Sequence, residues 1–151
     1  MTGTPVARLW IVADTPDAAV VVYLEEVAPD GTTRYMTEGC LRASCRQTAP
    51  APAPADHPHD GPYHPCTVAT QRHLVPGEPA LLEIALHPTS WLLRAGVRVR
   101  LALAGADRDH LARVPFGRAP TFCILHGLQH PSALDLPVTP RGPTCRAGTV
   151  R

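Results

Sequence analysis

Eighteen prolines and eleven glycines are spread along this chain of 151 residues and leave little room for a long helix. A proline inside a helix removes a backbone hydrogen bond, and its ring clashes with the preceding turn. What remains between these residues is a series of short apolar runs. Strands of about five or six residues fit such intervals. The sequence therefore predicts an all-β fold.

The clearest pair of strands surrounds a tight turn. Residues 20–27 spell VVVYLEEV and are rich in β-branched and aromatic side chains, which favour a pleated surface. The next four residues, APDG, suit a turn, because proline presets φ and glycine accepts a positive φ. Residues 32–37 supply the returning strand. Further strands are predicted at residues 6–12, 40–46, 82–86, 97–105, 121–125 and 134–138.

The segment VRVRLALAG at residues 97–105 has the most regular alternation in the chain. A period of two predicts a strand with one buried face and one wetter face. The predicted buried set is Val97, Val99, Leu101 and Leu103, and the wetter set is Arg98, Arg100, Ala102 and Ala104. Several such strands with turn signals between them indicate an antiparallel β-sandwich or jelly roll.

The length suits one domain, which we place at residues 1–138. Residues 47–66 contain an Ala–Pro alternation that favours extended polyproline geometry and cannot form a sheet ladder, so we expect a disordered loop there. Residues 139–151 have no apolar period and are expected to form a flexible tail.

Charge and cysteine content exclude several classes of protein. The formal net charge is +1, too small for a nucleic-acid footprint. No run of about 18 apolar residues is present, so we expect no membrane span. The opening MTGTPVARLW lacks the layout of a secretory signal. The five cysteines follow no disulfide framework, which predicts reduced thiols and a cytoplasmic location.

No residue pattern for nucleophilic catalysis is evident. The three serines, Ser44, Ser90 and Ser132, lie outside any G-x-S-x-G elbow. A cysteine–histidine pair is not testable from sequence, because such partners meet only in space. For Cys40 and Cys123 we favour buried, inert positions within strands, since cysteine is among the most often buried residue types. We predict no catalytic residue in this chain.

Zinc-competent side chains cluster in HPHDGPYHPC: His57, His59, Asp60, His64 and Cys66. Their spacing matches no standard metal site, and a proline-rich loop does not hold ligands rigidly. Solvated loop histidines are the favoured interpretation, with metal binding kept as the alternative. We predict no cofactor.

Two sets of side chains are candidates for contact with a partner or ligand. Arg94, Arg98 and Arg100 form a small basic stripe, for which solvent cover is the alternative. Trp10 and Trp91 are either a sugar-stacking platform or anchors in the core or an interface.

Several segments occur in an order typical of one family. ADTPD at residues 13–17 is followed by LEEVAPDG at 24–31, TEG at 37–39 and an L-R-x-x-x-R segment at 41–46. LVPGEPALLEIALHPTSWLLRAGVRVRLALAGAD and HPSALDLPV come later. This order resembles the C-terminal β-sandwich of the bacterial cocaine-esterase and X-Pro dipeptidyl-peptidase family of serine hydrolases. The match spans about residues 4–138 and is interrupted by the Ala–Pro loop.

The resemblance implies a galactose-binding-like jelly roll whose first strand precedes Met1. It also implies that the serine triad belongs to a separate α/β-hydrolase domain. The sandwich would pack on that domain, help wall the substrate cleft and contribute to homodimer contacts. Ala18 and Ala19 replace a second acid that the family often has, and Gly96–Val97–Arg98 replaces a Gly–His–Arg segment.

The leading interpretation is therefore a non-catalytic accessory domain of a hydrolase acting on X-Pro peptides or on acyl ester and amide bonds. A freestanding ligand- or carbohydrate-binding sandwich is the alternative, and it depends on fold analogy alone. A remnant without function is a third interpretation.

Overall fold

The computed structural model describes residues 1–52 and 60–138. Within them the chain forms strands and one short 3-10 turn, Ala43–Cys45, and no α-helix. The strands are β1 (Thr2–Gly3), β2 (Val6–Ala13), β3 (Ala19–Val27), β4 (Thr33–Arg42), β5 (Ala80–Ala85), β6 (Thr89–Ser90), β7 (Arg98–Ala104), β8 (Phe122–Leu125) and β9 (Ala133–Asp135). The paired strands run antiparallel. The prediction of an all-β antiparallel fold is confirmed.

Strand β2 is the centre of a four-stranded sheet. One edge of β2 pairs with β5 from Val6 to Ile11. Its other edge pairs with β9 at the beginning of the strand and with β8 at its end. The alternation of the sequence agrees with this arrangement, because Ala7, Leu9 and Ile11 are buried while the residues between them face outward.

Strand β3 is the centre of a second, three-stranded sheet in the order β4-β3-β7. The turn after β3 forms as predicted: the Gly31 amide donates to the Ala28 carbonyl at 2.9 Å, and Gly31 has φ of 86°. The pairing of β3 with β4 shifts register between Leu24 and Glu25. This β-bulge leaves Met36 as the extra residue, and its side chain is buried.

The core lies between the two sheets. One apolar cluster joins Leu9 and Ile11 of β2 to Val22 and Leu24 of β3 and continues into β5. Each such side chain stabilises the fold by roughly 1.5–3 kcal/mol when fully buried. The chain is therefore a β-sandwich whose central strands are β2 and β3.

The two sheets come closest where β4 passes the end of β5. A Cβ atom added at Gly39 would lie 2.4 Å from the Ala85 carbonyl oxygen and 3.0 Å from the Leu86 Cα. The His87 amide donates to the Glu38 carbonyl at 2.8 Å at the same corner. Gly39 is required here by the approach of backbone to backbone.

The predicted burial of the β7 face is wrong in part. Val99 and Leu103 are 37% and 36% exposed, and Leu101 is the residue of this row that packs against the core. The physical reason is position: β7 is an edge of its sheet, paired in the described residues only with β3. Alternation reports which side chains share a face, but the facing sheet must extend far enough to cover them.

The cysteine prediction is also wrong in part. Cys45 and Cys66 form a disulfide, with Cα atoms 4.8 Å apart, while Cys40 and Cys123 are free and exposed. By the chain-entropy account, closing a loop of this length stabilises a fold by about 3 kcal/mol. The two cysteines meet because the 3-10 turn and the segment before residue 67 pack on the same corner.

The predicted loop at residues 47–66 is only partly described. Ala49 pairs with Tyr63 in an isolated antiparallel bridge, and residues 53–59 lie outside the described residues. The predicted tail at residues 139–151 lies wholly outside them. Among the residues that are described, no helix has the length and apolar character needed to cross a membrane.

We expect Gly39→Ala to lower the free energy of unfolding by at least about 2 kcal/mol, because either strand must shift to admit the methyl group. Gly105→Ala is the matched control. Its added Cβ would meet the ring of Phe122 at 3.4 Å, an ordinary contact. Urea denaturation of both variants measures the difference, and equal losses would contradict the close approach of the sheets.

Candidate functional site

The most recognisable sequence motif forms a buried polar corner. Asp17 is 4% exposed. Its Oδ1 accepts hydrogen bonds from the amides of Ala18 and Ser44 at 3.0 and 2.9 Å. Its Oδ2 accepts one from Arg42 Nε at 2.6 Å. The ADTPD turn is thus attached to the L-R-x-x-x-R segment by one carboxylate.

Asp14, in the same turn, binds the segment that precedes β8. Its Oδ1 accepts a hydrogen bond from the Thr121 amide at 2.8 Å, and Arg118 pairs with Oδ2. The Thr121 hydrogen bond is the main reason that the pKa of Asp14 is lowered. The arginine that ends the motif, Arg46, donates to the carbonyls of Ala43, Arg72 and His73. The residues of the two motif segments therefore stabilise the fold by connecting its turns and loops.

None of the three serines is placed as a nucleophile. Ser44 is fully buried. Ser132 Oγ donates to the Leu125 carbonyl at 2.6 Å and accepts from the Trp10 amide at 2.9 Å. Ser90 Oγ shares a hydrogen bond of 3.1 Å with Thr2. Across residues 1–52 and 60–138 no hydrogen bond connects a serine to a histidine, the residue that most often acts as the general base for a nucleophile.

A cavity of about 160 Å³ opens on the outer face of the three-stranded sheet. The loop after β7 stands over this face, because the Tyr23 hydroxyl donates to Asp107 Oδ2 at 2.5 Å. The other carboxylate oxygen of Asp107 accepts from the amides of Asp109 and His110 at 2.9 and 3.1 Å. The cavity is lined by Val21, Tyr23, Glu38, Gly39, Cys40, His87, Asp107, His110 and Leu111.

The hydrogen bond between Tyr23 and Asp107 shifts the pKa values of the two side chains in opposite directions. It is the first cause of a Tyr23 pKa raised to about 12, followed by burial and the charges of Asp107 and Glu38. It is also the main reason that the pKa of Asp107 is lowered to about 2. The phenol therefore stays neutral and the carboxylate ionised over a wide range of pH.

Cys40 lines this cavity together with two histidines but is not an activated thiol. Although Cys40 is exposed, partial desolvation of its thiol by the surrounding cavity, and then the negative charge of Glu38, raise its pKa. A reactive cysteine needs the opposite, a lowered pKa beside a positive group. The expectation that Cys40 and Cys123 are buried is wrong, because both occupy outward positions of their strands. The neighbouring Leu41 is buried, so strict alternation already required Cys40 to face outward.

The predicted contact residues do not converge. Trp10 lies on the outer face of the four-stranded sheet, with its ring edge-on to His130 at a centroid distance of 4.8 Å. Trp91 packs against the core, and its Nε1 donates to Glu26 Oε2 at 2.9 Å. Arg94, Arg98 and Arg100 are all exposed, and Arg100 Nε donates to Glu25 Oε2 at 2.6 Å. Their role in contacts stays a prediction.

The histidine-rich segment is described only in part, since His57 and His59 lie outside the described residues. His64 Nε2 lies 2.8 Å from the Glu83 carbonyl oxygen, and Cys66 is in the disulfide. Within the described ranges no group of three or more histidine, cysteine or acidic residues is arranged to hold a metal ion.

The fold and these contacts define a β-sandwich module whose recognisable motif residues stabilise structure. The family model described as the X-Pro dipeptidyl-peptidase C-terminal non-catalytic domain matches residues 1–134. The chain belongs to this family, which confirms the resemblance found in the sequence and its interpretation as a non-catalytic domain.

Two curated relatives are each 42% identical to this chain over 138 residues. They are "Putative serine esterase Mb1866c" of Mycobacterium bovis and "Putative serine esterase MT1883" of Mycobacterium tuberculosis. The match covers 91% of this chain but only 22% of each relative. The chain thus spans about a fifth of the length of the proteins it resembles.

Solved structures of similar fold include a CocE/NonD family hydrolase, SACOL2612, from Staphylococcus aureus. One crystal structure aligns with a TM-score of 0.68 and 18% identity, covering 89% of this chain and 27% of that one. A second, at 1.95 Å, aligns with a TM-score of 0.65 and 17% identity. The likeness is one of fold.

The hydrogen bond between Tyr23 and Asp107 leads to a prediction about how the stability of the fold depends on pH. Because the Asp107 pKa is lowered to about 2 from 3.8, its contribution to stability is full above pH 4 and is lost as pH falls towards 2. Because the Tyr23 pKa is raised to about 12 from 10.0, its contribution is lost as pH rises from 10 to 12.

We therefore expect Tyr23→Phe to flatten the pH dependence of stability in both windows. Comparing the variant with the parent chain separates this pair from other groups that titrate at the same pH. The measurement is the urea midpoint from pH 2 to 12. Profiles of identical shape would show that the hydrogen bond does not exist in solution.

Proposed function

We propose that this chain is the accessory domain of a serine hydrolase that acts on X-Pro peptides or on acyl ester and amide bonds. It packs on an α/β-hydrolase domain and helps to shape the substrate cleft. The observation that carries the proposal is the match of residues 1–134 to a non-catalytic domain family, combined with coverage of only 22% of relatives named as serine esterases. The absence of an activated serine or thiol among the described residues supports the same division of labour.

The edge strand β7 is the surface that we propose for docking. Val99 and Leu103 are more than a third exposed although they share a face with the buried Leu24 of the neighbouring strand. Arg98, at the beginning of β7, is exposed and has no carboxylate partner among the described residues. A surface with an apolar row and a basic margin fits a partner that is apolar with an acidic rim.

The experiment replaces the corresponding C-terminal region of the mycobacterial esterase with residues 1–138 of this chain. We expect the hybrid to hydrolyse p-nitrophenyl esters, whereas the esterase without that region loses activity. The chain alone should give no turnover with these esters or with X-Pro p-nitroanilides. A hybrid that folds but is as inactive as the truncated esterase would contradict the proposal.

In the hybrid, Val99→Glu with Leu103→Glu is expected to lower kcat/KM at least about tenfold, because docking would bury unpaired carboxylates. The control is Val75→Glu, at a valine that is 55% exposed on a separate loop. Equal activity of the two variants would mean that β7 is not the docking edge.

In the isolated chain, where no hydrolase domain covers β7, the same edge supports the homodimer contacts that the resemblance implies. If β7 pairs antiparallel with β7 of a second copy about Leu101, Val99 lies opposite Leu103 and Arg98 lies opposite Ala104. Apolar residues then meet each other, and no arginines are directly opposed. We expect the isolated chain to self-associate through this edge and Val99→Lys to weaken association, since an edge lysine discourages pairing. Light scattering that shows a monomer at high concentration would contradict this.

Two finer assignments belong to the proposal. A galactose-binding-like jelly roll is supported by the two facing antiparallel sheets.

A cytoplasmic location is supported by the exposed free thiols of Cys40 and Cys123. The Cys45–Cys66 disulfide argues against that location, because disulfides persist mainly in oxidising compartments. Alkylation of cysteines in intact cells, before any reductant is added, shows whether Cys45 and Cys66 are reduced thiols or form the disulfide.

A further inference from the structure

The cavity over Tyr23 lies on the outer face of the three-stranded sheet, where the loop after β7 stands over an otherwise flat surface. Its lining combines two kinds of group. Val21, Leu111 and the Tyr23 ring provide apolar and aromatic surface, whereas Glu38 provides a carboxylate. The Asp107 carboxylate is already committed, because Tyr23 and two backbone amides occupy its oxygens.

Glu38 differs from the other strand carboxylates in the described residues. Glu25 pairs with Arg100, Glu26 with Arg34, and Glu83 and Asp135 both pair with Arg8. Glu38, half-buried in β4, has neither an ion pair nor a side-chain hydrogen bond in the part of the chain that is described. Tyr23 lies opposite Glu38 on the neighbouring strand, and Cys40 is the next residue of β4 on the same face. Both side chains are neutral, so neither provides a cation for Glu38.

The neighbours of Glu38 respond to its charge. After burial, the charge of Glu38 is the next cause that raises the pKa of Cys40 and that of Tyr35. It also adds to the raised pKa of Tyr23. The charge of Glu38 thus contributes to a raised pKa at all three neighbouring groups, as expected near a carboxylate whose negative charge no cation offsets. The basic groups that face the cavity are the imidazoles of His87 and His110.

We infer that this cavity binds an ammonium or guanidinium group carried on a short apolar chain. Glu38 forms a charge-assisted hydrogen bond with the cation, the Tyr23 ring offers it a π face, and Val21 and Leu111 contact the methylene groups. The volume of about 160 Å³ is smaller than the roughly 300–1,000 Å³ of pockets for drug-sized ligands, so the occupant is of side-chain size.

Two sources supply this chemistry: a free small amine, or a lysine or arginine side chain of a protein partner. The inference does not depend on the proposed function, because every group in the site belongs to this chain. Its failure would leave the hybrid-esterase experiment unaffected.

The test is an NMR titration of the folded chain with n-butylguanidinium, with n-butylammonium and with n-butanol as the uncharged control. We expect saturable amide shifts at Val21, Glu38 and Leu111 with both cations and none with butanol. Glu38→Gln should weaken binding at least about tenfold, since a hydrogen bond to a charged group is lost. Glu78→Gln, which removes one negative charge from an exposed turn outside the cavity, should leave binding unchanged.

Urea unfolding of the two variants shows whether both remain folded. Absence of saturable shifts, or equal affinity of Glu38→Gln and Glu78→Gln for the cations, would overturn the inference. A capped peptide with a single arginine is then titrated in the same way. Tighter binding of this peptide than of butylguanidinium supports the site with a protein side chain as its source, and the reverse order supports it with a small amine.

Discussion

The packing of β2 against β3 is the contact on which the rest of this molecule depends. Each strand is the centre of its sheet, and their inward rows, Leu9 and Ile11 from one and Val22 and Leu24 from the other, meet in one apolar cluster. Strands β4, β5, β7, β8 and β9 each pair with one of these two, whereas β1 and β6 pair with each other. The close passage of backbone at Gly39 shows how little space this packing leaves.

The recognisable motif residues of this chain hold other segments against these packed sheets. The turns that leave β2 and enter β3 carry Asp14 and Asp17, and both carboxylates are used to hold distant segments in place. Arg46 is used in the same way through three carbonyl groups. The most distinctive residues are those that hold loops against the sandwich, so the functions that we propose are assigned to surfaces that remain: the β7 edge and the cavity over Tyr23.

Local patterns predicted most of the strands, although the strand predicted at residues 40–46 ends at Arg42 and residues 43–45 form a 3-10 turn. They predicted the surroundings of the strands less well. The strand predicted at residues 82–86, observed as Ala80–Ala85, and the turn at residues 28–31 are confirmed, because each depends on side chains within a few positions of one another. The exposure of Val99 and Leu103 was missed, because it depends on how far the opposite sheet extends. The pairing of Cys45 with Cys66, 21 residues apart, was missed because no spacing rule brings those segments together.

The sequence by itself determined that the chain is an all-β module and that no serine lies in a G-x-S-x-G elbow, since strand periodicity, proline content and the residues around each serine are local properties. Only the tertiary structure decided what the outer faces contain. Tyr23 and Asp107 are 84 positions apart, and their hydrogen bond forms only because the loop after β7 folds back over β3. Cross-strand register and loop position are set by the packing of whole sheets, and no short segment of sequence contains that information.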